Sequence, residues 1–208
     1  IYNTVVVKDI TVRKKIRDTF MLESITRFLF DNIGNPLSSK RISYTMTSDG
    51  RKIDVRTVEK MIEVLTDSSN LSRLNRYNIK GKQYLKTMEK YYAVDIGLRY
   101  ALLGARNADV GHILENVVYL ELLRRGNAVY VGKVDEKEVD FVTMSDKGTA
   151  YYQVAATVRD DTVLQRELAP LRAIRDNYPK TLLTLDEDPV SDRDGILCKN
   201  ALDWLIGR

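Results

Sequence analysis

Three strand-like runs follow one another closely in the second half of the chain, and their spacing constrains the fold more than any other feature. They span residues 128–134, 138–144 and 149–158, and only short polar turns separate them. Connections of this length join antiparallel neighbours, whereas parallel strands need a crossover of a dozen or more residues. We therefore predict an antiparallel meander.

Helical patterns flank the meander. One helix is predicted to open at Asp109 or Gly111 and to close at Gly126, and a second covers residues 162–176 with a bend near Pro170. A strand over residues 181–185 and a short final helix follow. The order helix, three strands, helix, strand is that of a metal-dependent phosphodiesterase of the restriction-endonuclease type. We predict an α/β nuclease-like domain over residues 109–208.

Acidic residues lie where such an enzyme holds its metal ion. Glu115 is in the first helix, and Glu138 and Asp140 alternate along the second strand, with Val139 and Phe141 expected on the opposite face. A divalent ion needs two or three oxygen ligands before it can polarise a phosphoryl group and activate water. Glu115 and Asp140 are therefore the candidate ligands for Mg²⁺, with Glu138 beside them.

The first half of the chain has a different pattern. Apolar residues at helical spacing predict helices over 21–33, from Ser38 or Ser39 to 46, and over 55–65 with Asp54 as its N-cap. Strand-like runs over 71–79 and 83–94 follow, and Gly81 is expected to permit the tight reversal between them. Three helices and a hairpin are the order of a winged helix-turn-helix. We predict this domain, with a helical arm before it, over residues 1–108.

Charge separates the two halves. Residues 1–108 hold 20 lysines and arginines against 11 acids, and residues 109–208 hold 13 against 18. A basic half with tyrosines interleaved suits a nucleic-acid backbone, and DNA is the predicted partner, although many winged helices only bind protein. The candidate nucleic-acid-binding residues lie on the third helix and the hairpin: Arg56, Lys60, Arg73, Arg76, Lys80, Lys82 and Lys86.

Several short motifs together resemble one family. The chain is similar to the C-terminal region of bacterial and archaeal AAA+ ATPases, in which a winged helix precedes a degenerate restriction-endonuclease-like domain. The residues that carry the resemblance are Lys8-Asp9-Ile10, Glu89-Lys90-Tyr91-Tyr92, Asp95-Ile96-Gly97-Leu98-Arg99, Leu114-Glu115-Asn116, Leu122-Leu123-Arg124-Arg125-Gly126, Glu138-Val139-Asp140-Phe141-Val142 and Tyr152-Gln153-Val154-Ala155. Each motif is weak alone, and together they are specific.

The resemblance implies an ATP-binding module upstream. This chain itself holds no phosphate-binding G-x-x-x-x-G-K-[ST] loop, so ATP hydrolysis is not placed in it. Active relatives of the nuclease fold carry an acid, any residue and a lysine on the third strand, where this chain has Gln153 and Ala155. Glu115, Glu138, Asp140 and Gln153 are therefore interpreted as a vestigial catalytic site. We expect a non-catalytic nucleic-acid-binding region of an ATPase; the alternatives are a Mg²⁺-dependent nuclease and a protein-interaction module.

Composition excludes several other classes of protein. No apolar run reaches the ~20 residues of a membrane span, and no signal-peptide pattern opens the chain. One cysteine and one histidine rule out an intramolecular disulfide and a multi-histidine metal site, and the predicted compartment is the cytoplasm. Because the chain begins with Ile1, we expect it to be part of a longer protein.

Overall fold

The computed structural model describes residues 18–104, 110–188 and 190–207. They form a mixed α+β structure that divides into two compact units. The described part of the first unit comprises residues 18–73 and 88–104, and that of the second comprises 74–87, 110–188 and 190–207. The predicted arm and the Lys8-Asp9-Ile10 motif lie outside the described residues, apart from Asp18 and the two residues after it.

The helices of the first unit begin at polar side chains that cap them. These helices are α1 (Thr19–Asp31), α2 (Ser39–Ser48), α3 (Val55–Asp67) and, after the hairpin, α4 (Ile96–Leu103). Asp18, Ser38, Asp54 and Asp95 each accept a hydrogen bond from a backbone N–H of the first turn. The predicted caps Ser38 and Asp54 are thereby confirmed. Apolar residues of α1, α2 and α3, including Ile25, form one buried cluster.

The predicted hairpin consists of β1 (Leu71–Asn78) and β2 (Gln83–Ala93). Its reversal differs in detail from the prediction, because Lys82 and not Gly81 has the left-handed backbone, with φ of 47°. Gly81 instead donates its N–H to the Asn78 side chain at 2.9 Å. The segment after α1 also bonds to β2, since Leu37 N–H donates to Glu89 O at 2.8 Å.

The second unit contains the rest of the secondary structure. Its elements are α5 (Val110–Arg124), β3 (Ala128–Val134), β4 (Lys137–Ser145), β5 (Gly148–Val154), α6 (Asp161–Arg172), β6 (Lys180–Thr184), β7 (Ser191–Arg193), β8 (Ile196–Asn200) and α7 (Ala201–Leu205). The antiparallel meander is confirmed by the pairing of β3 with β4 and of β4 with β5. Helix α6 includes Pro170 and ends four residues earlier than predicted.

One mixed sheet of eight strands has the order β2-β1-β3-β4-β5-β6-β8-β7. Strand β1 pairs in parallel with β3 through Arg76, Tyr77 and Asn78. Strand β5 pairs in parallel with β6, and β6 with β8. Residues 74–87, which we call the hairpin tip, therefore belong to the second unit. A domain boundary at residue 108 stays a prediction.

Strand β4 does not keep the simple alternation that the sequence predicts. Val139 lies opposite Gly132 and Val142 opposite Tyr130, so β4 has one residue more than β3 at this point, which is a β-bulge. Because the bulge shifts the alternation, Val139 and Val142 share one buried cluster with residues of α6, whereas Phe141 stacks on Tyr119 of α5. The prediction that Val139 and Phe141 share a face is therefore wrong.

Candidate nucleic-acid interface and carboxylate cluster

Asp140 lies where β4 and β5 separate. Their regular pairing ends at Phe141 and Tyr152. Beyond this pair, the Asp140 carboxylate accepts a hydrogen bond from Val154 N–H at 2.9 Å, in place of a backbone carbonyl of β4. Only 8% of Asp140 is exposed. The bond satisfies a backbone donor that strand pairing leaves free, so it stabilises the fold locally as well as positioning the carboxylate.

Gln153 uses both ends of its amide. Its Oε1 accepts from Asp140 N–H at 3.3 Å, and its Nε2 donates to Glu167 Oε2 on α6 at 3.0 Å. Glu167 also accepts from the guanidinium of Arg166 at 2.8 Å. A neutral amide thus lies between the β4 backbone and a carboxylate, with one hydrogen bond at each of its two ends.

Glu115 lies on the other face of the sheet from Glu167. The short turn between α5 and β3 reverses the chain, so β3 is antiparallel to α5. Strand β4 is antiparallel to β3 and therefore runs in the same direction as α5. Tyr119 stacks on Phe141 with ring centroids 6.0 Å apart. Glu115 precedes Tyr119 by one helical turn and Asp140 precedes Phe141, so both acids lie at the same end of this contact. Glu167 belongs to α6, which packs on the opposite face.

This donor set does not fit a metal site made of three carboxylates. Among the residues that the structure describes, no group of three or more histidine, cysteine, aspartate or glutamate side chains is arranged to hold a metal ion. The amide of Gln153 supplies no negative charge, and Asp140 already accepts a backbone hydrogen bond. Mg²⁺ binding by Glu115 and Asp140 stays a prediction.

Two of the predicted nucleic-acid-binding arginines are in ion pairs. In the first unit Arg73 lies 3.7 Å from Glu89. In the second unit Arg76 lies 3.3 Å from Glu138, and both side chains are more than two-thirds buried. The Arg76 Nε is also buried, without a hydrogen-bond partner among the described residues. Arg76 and Glu138 therefore link β1 to β4, and Glu138 is paired with a cation.

The lysines of the hairpin tip differ from one another. Lys80 hydrogen-bonds to Asp135 and thereby lowers the pKa of that carboxyl. Lys82 is exposed and makes no ion pair with any carboxylate in the described ranges. The side chain of Lys86 lies outside the described part of the structure. Of the predicted hairpin cations, Lys82 is thus the one that the structure shows available to a phosphate.

Helix α3 presents a mixed surface. Arg56 and Lys60 are exposed as predicted, but Glu59, Glu63 and Asp67 share the exposed side. The described residues of the first unit hold ten cationic and ten acidic side chains. The basic excess of the first half therefore falls on residues 1–17, on Arg106 and on the hairpin tip, so α3 is not selectively basic.

Helix α2 carries a local cationic surface that the sequence analysis missed. Lys40 and Arg41 are exposed and form no ion pair with another described residue, and α2 itself has no acidic residue. Lys40 Nζ lies 5.7 Å from the ring centroid of Tyr44, which is 62% exposed. These residues line an open cleft of about 460 Å³, and its other lining residues are Ser38, Thr45 and Ser48.

Sequence patterns alone did not identify Glu167 as a partner of Gln153 or α2 as a cationic surface. Glu167 follows Arg166 on an amphipathic helix, where an acid is usually a solvated surface residue. The bias of α2 was visible in the absence of acids from residues 39–48, but the charge count over the whole half obscured it. The contrast between α2 and α3 required knowledge of which side chains are exposed.

Comparison with known proteins gives two relatives. An uncharacterised protein of Haemophilus influenzae is 38% identical over 206 residues, which cover 99% of this chain and 51% of that protein. An uncharacterised protein of Methanocaldococcus jannaschii is 26% identical over 189 residues, covering 87% of this chain and 42% of its own length. The chain thus spans about half the length of these curated relatives, or less. No solved structure matches it.

Membership of a family follows from a match over residues 1–109, just over half of the chain. The matching family is described as a domain of unknown function, DUF8612. No helix in the described ranges is long and apolar enough to cross a membrane. The chain therefore belongs to the DUF8612 family.

Proposed function

We propose that this chain is a nucleic-acid-binding region, without nuclease activity of its own, of a larger protein that carries an AAA+ ATPase module. The observation that carries the proposal is the exposed cationic surface of α2. Lys40 and Arg41 are followed by Arg51 and Lys52, and Asp49 is the one acid within residues 38–52. Cations of this kind bind phosphates through charge and release counterions when they do so.

The architecture of the first unit supports this proposal. Three helices precede a hairpin, and a bridge from Leu37 to Glu89 adds the segment between α1 and α2 to the hairpin edge. A winged helix-turn-helix has this order, and its helices and hairpin contact the nucleic-acid backbone. Since such modules also bind proteins, the order alone does not decide the ligand, and the charges of α2 favour nucleic acid.

The hydrogen bonds around Asp140 and Gln153 support the non-catalytic part of the proposal. The αβββαβ order of α5 to β6 and the acid at Asp140 are typical of a restriction-endonuclease-like domain. Gln153, however, is bonded to the Asp140 backbone and to Glu167, and Ala155 has no cationic group. Phosphodiester cleavage needs an anionic metal site and a group that positions water. We infer that this domain contributes binding and not cleavage.

The ATPase part of the proposal is supported by length and by the motifs that resemble this ATPase family. The curated relatives are about twice as long as this chain, which leaves room for a further module in them. No ATP site is assigned to residues of this chain. The energy for any movement along nucleic acid would come from the additional module.

Duplex binding tests the α2 surface. We expect the double substitution Lys40→Ala with Arg41→Ala to weaken binding of a labelled 20-base-pair DNA in fluorescence anisotropy. Each phosphate contact contributes about 0.9 to the slope of log affinity against log salt, so the slope should become shallower by roughly 2. Lys147→Ala with Lys199→Ala removes the same charge from the second unit and serves as the control.

Two outcomes would redirect this proposal. An unchanged salt slope in the α2 variant, with a shallower slope in Arg56→Ala with Lys60→Ala, would return the contact to α3. Absence of any duplex or single-strand binding by the intact chain at low salt would contradict nucleic-acid binding and favour a protein partner.

A further inference from the structure

Five tyrosines from different elements lie together on the second unit. Tyr77 and Tyr84 of the hairpin have ring centroids 5.5 Å apart, and Tyr130 of β3 lies 5.1 Å from Tyr84. Tyr151 of β5 lies 6.5 Å from Tyr178, which precedes β6. We call these residues the tyrosine surface. Such distances are those of ring pairs in contact, so each group of rings forms a connected aromatic cluster.

The two groups of rings are neighbours. Burial, then the nearby hydroxyls of Tyr84 and Tyr178, raises the pKa of Tyr77. The pKa of Tyr151 is raised, first by burial and then by the hydrogen bond from its hydroxyl to Asp176. Tyr77 and Tyr178 add weaker effects in the same direction. Tyr151 also belongs to the buried apolar cluster under α6 against which Tyr77 and Tyr130 pack, so the two groups of rings lie in one region.

The outer rings are exposed while the inner rings support them. Tyr84 is 60% exposed and Tyr178 is 50% exposed, whereas Tyr151 is 3% exposed. Tyr77 and Tyr130 are half-buried and pack on the apolar cluster under α6. Two large aromatic side chains are thus exposed to solvent beside more buried rings. An exposed aromatic ring is a ready stacking partner for a planar ligand such as a nucleic-acid base.

Two clefts with cationic walls adjoin these rings. One, of about 500 Å³, is lined by Lys80, Lys82, Arg175 and Asp176. Its apolar lining residues Ile79, Val134 and Ile174 belong to the cluster against which Tyr77 and Tyr130 pack. The other, of about 510 Å³, is lined by Tyr178, Lys180, Arg172 and Arg175 together with the acids Asp176 and Asp194. Arg175 lines both clefts, which therefore lie side by side, with cations from the hairpin tip at one end and Lys180 at the other.

The acids of this region are engaged by other groups. Asp176 accepts from the Tyr151 hydroxyl at 2.6 Å and lies 3.7 Å from Lys180. Asp194 pairs with Arg172 at 2.9 Å, and Asp135 with Lys80. Lys82 and Arg175 make no ion pair with a described carboxylate. Two cations thus remain for an anionic ligand, in addition to those whose charge is already balanced.

We propose that the tyrosine surface and its two clefts bind single-stranded nucleic acid, with bases stacked on Tyr84 and Tyr178 and phosphates beside Lys82 and Arg175. Aromatic faces with a cationic groove are the combination that single strands use, because unpaired bases expose their faces. A duplex keeps its bases stacked inside and offers only phosphates to such a surface. This inference rests on the proposed function and names the nucleic-acid form that the second unit takes.

The first test compares three labelled 20-mers on the intact chain: oligo(dT), an abasic strand with the same phosphates, and a duplex. We expect oligo(dT) to bind at least about 5-fold more tightly than the abasic strand, because stacking contributes about 1–3 kcal/mol per base. This comparison needs no substitution. Equal affinity for the two strands would overturn the inference, since phosphates alone would then account for binding.

The second test uses substitutions of the exposed rings. Tyr84→Ala and Tyr178→Ala are each expected to weaken oligo(dT) binding by about 5- to 100-fold, whereas Tyr84→Trp keeps a stacking face and should retain it. Tyr100→Ala removes another exposed tyrosine, on α4, and is the matched control. Duplex binding through α2 should not change in these variants.

The outcomes separate this inference from the proposed function. Unchanged oligo(dT) affinity in both alanine variants, with duplex binding still sensitive to Lys40 and Arg41, would overturn the tyrosine surface and leave the α2 interface standing. Loss of duplex sensitivity with retained sensitivity to Tyr84 would do the reverse. Absence of binding to all three 20-mers would overturn both.

Discussion

Plasmid and linear DNA are expected to stay uncut when the protein is incubated with Mg²⁺ or Mn²⁺. In the proposed nuclease-like domain, Gln153 would take the place of an anionic ligand and Ala155 that of a water-positioning cation. If each loss raises the barrier by about 3 kcal/mol, the two together slow cleavage by roughly 10⁴-fold. Cleavage by the unmodified chain that Asp140→Ala abolishes would show that the vestigial interpretation is wrong. Agarose-gel assays over several hours measure both outcomes.

A restoring substitution provides the complementary experiment. Gln153→Glu with Ala155→Lys is expected to produce Mg²⁺-dependent cutting that Asp140→Ala removes. The structure adds a condition, because the new carboxylate would lie about where the Gln153 amide now donates to Glu167 at 3.0 Å. Two carboxylates at that distance repel, and a divalent ion or a proton relieves the repulsion.

The stability of Gln153→Glu should therefore depend on divalent ions. Without them its melting temperature is expected to fall by several degrees, since a net hydrogen bond of about 1–3 kcal/mol is replaced by repulsion. Gln153→Glu with Glu167→Gln exchanges donor and acceptor, and it should melt close to the unmodified protein. Equal melting of the single and exchanged variants, with and without Mg²⁺, would contradict the contact.

Gly132→Ala is expected to destabilise the second unit markedly. A Cβ at this position of β3 would lie 2.8 Å from Val142 Cγ2, 2.9 Å from Val139 Cβ and 3.1 Å from Ile79 Cδ1. Val139 Cβ is attached directly to the backbone of the bulged strand, so it moves only if the strand moves. Overpacking of this kind costs about 1–3 kcal/mol.

Thermal unfolding measures this effect, and Gly111→Ala is the matched control. A Cβ at Gly111, in the first turn of α5, meets nothing within 4 Å. Alanine is a better helix former than glycine by up to about 1 kcal/mol, so this variant should be unchanged or slightly more stable. Similar melting temperatures for the two alanine variants would show that β3 and β4 are not packed as described at the bulge.

Local chemistry explains what could be predicted of this fold. The caps Ser38 and Asp54 were identifiable because a short polar side chain before an apolar periodic run satisfies the first N–H groups of a helix. The meander followed from short turns. The bulge in β4 was not identifiable, because the positions of Asp140 and Phe141 depend on the partner strand and on Gly132, which lies eight residues before Asp140 in sequence.

The cations of the hairpin show a different limit. Sequence analysis placed Arg76 and Lys80 on the hairpin, but it did not find their partners. Glu138 and Asp135 lie 62 and 55 residues away in sequence. Parallel pairing of β1 with β3 brings them together, and no local pattern predicts a pairing between distant strands. Glu115, Glu138 and Asp140 were selected as candidates by motif, whereas Glu167 and the tyrosine surface depend on packing between elements.

The hairpin also determines how the protein can be dissected. A fragment that ends near residue 109, where the family match ends, would retain β1 and β2 but lack β3, the parallel partner of Arg76, Tyr77 and Asn78. The freed backbone of β1 would become an unprotected edge strand, the type of edge that recruits other chains into aggregates. Arg76 would lose Glu138 at the same time. The ends of any fragment of this chain should therefore not separate the hairpin from β3. Poor expression or solubility of a fragment that lacks β3 would reflect an incomplete sheet and not the function of the protein.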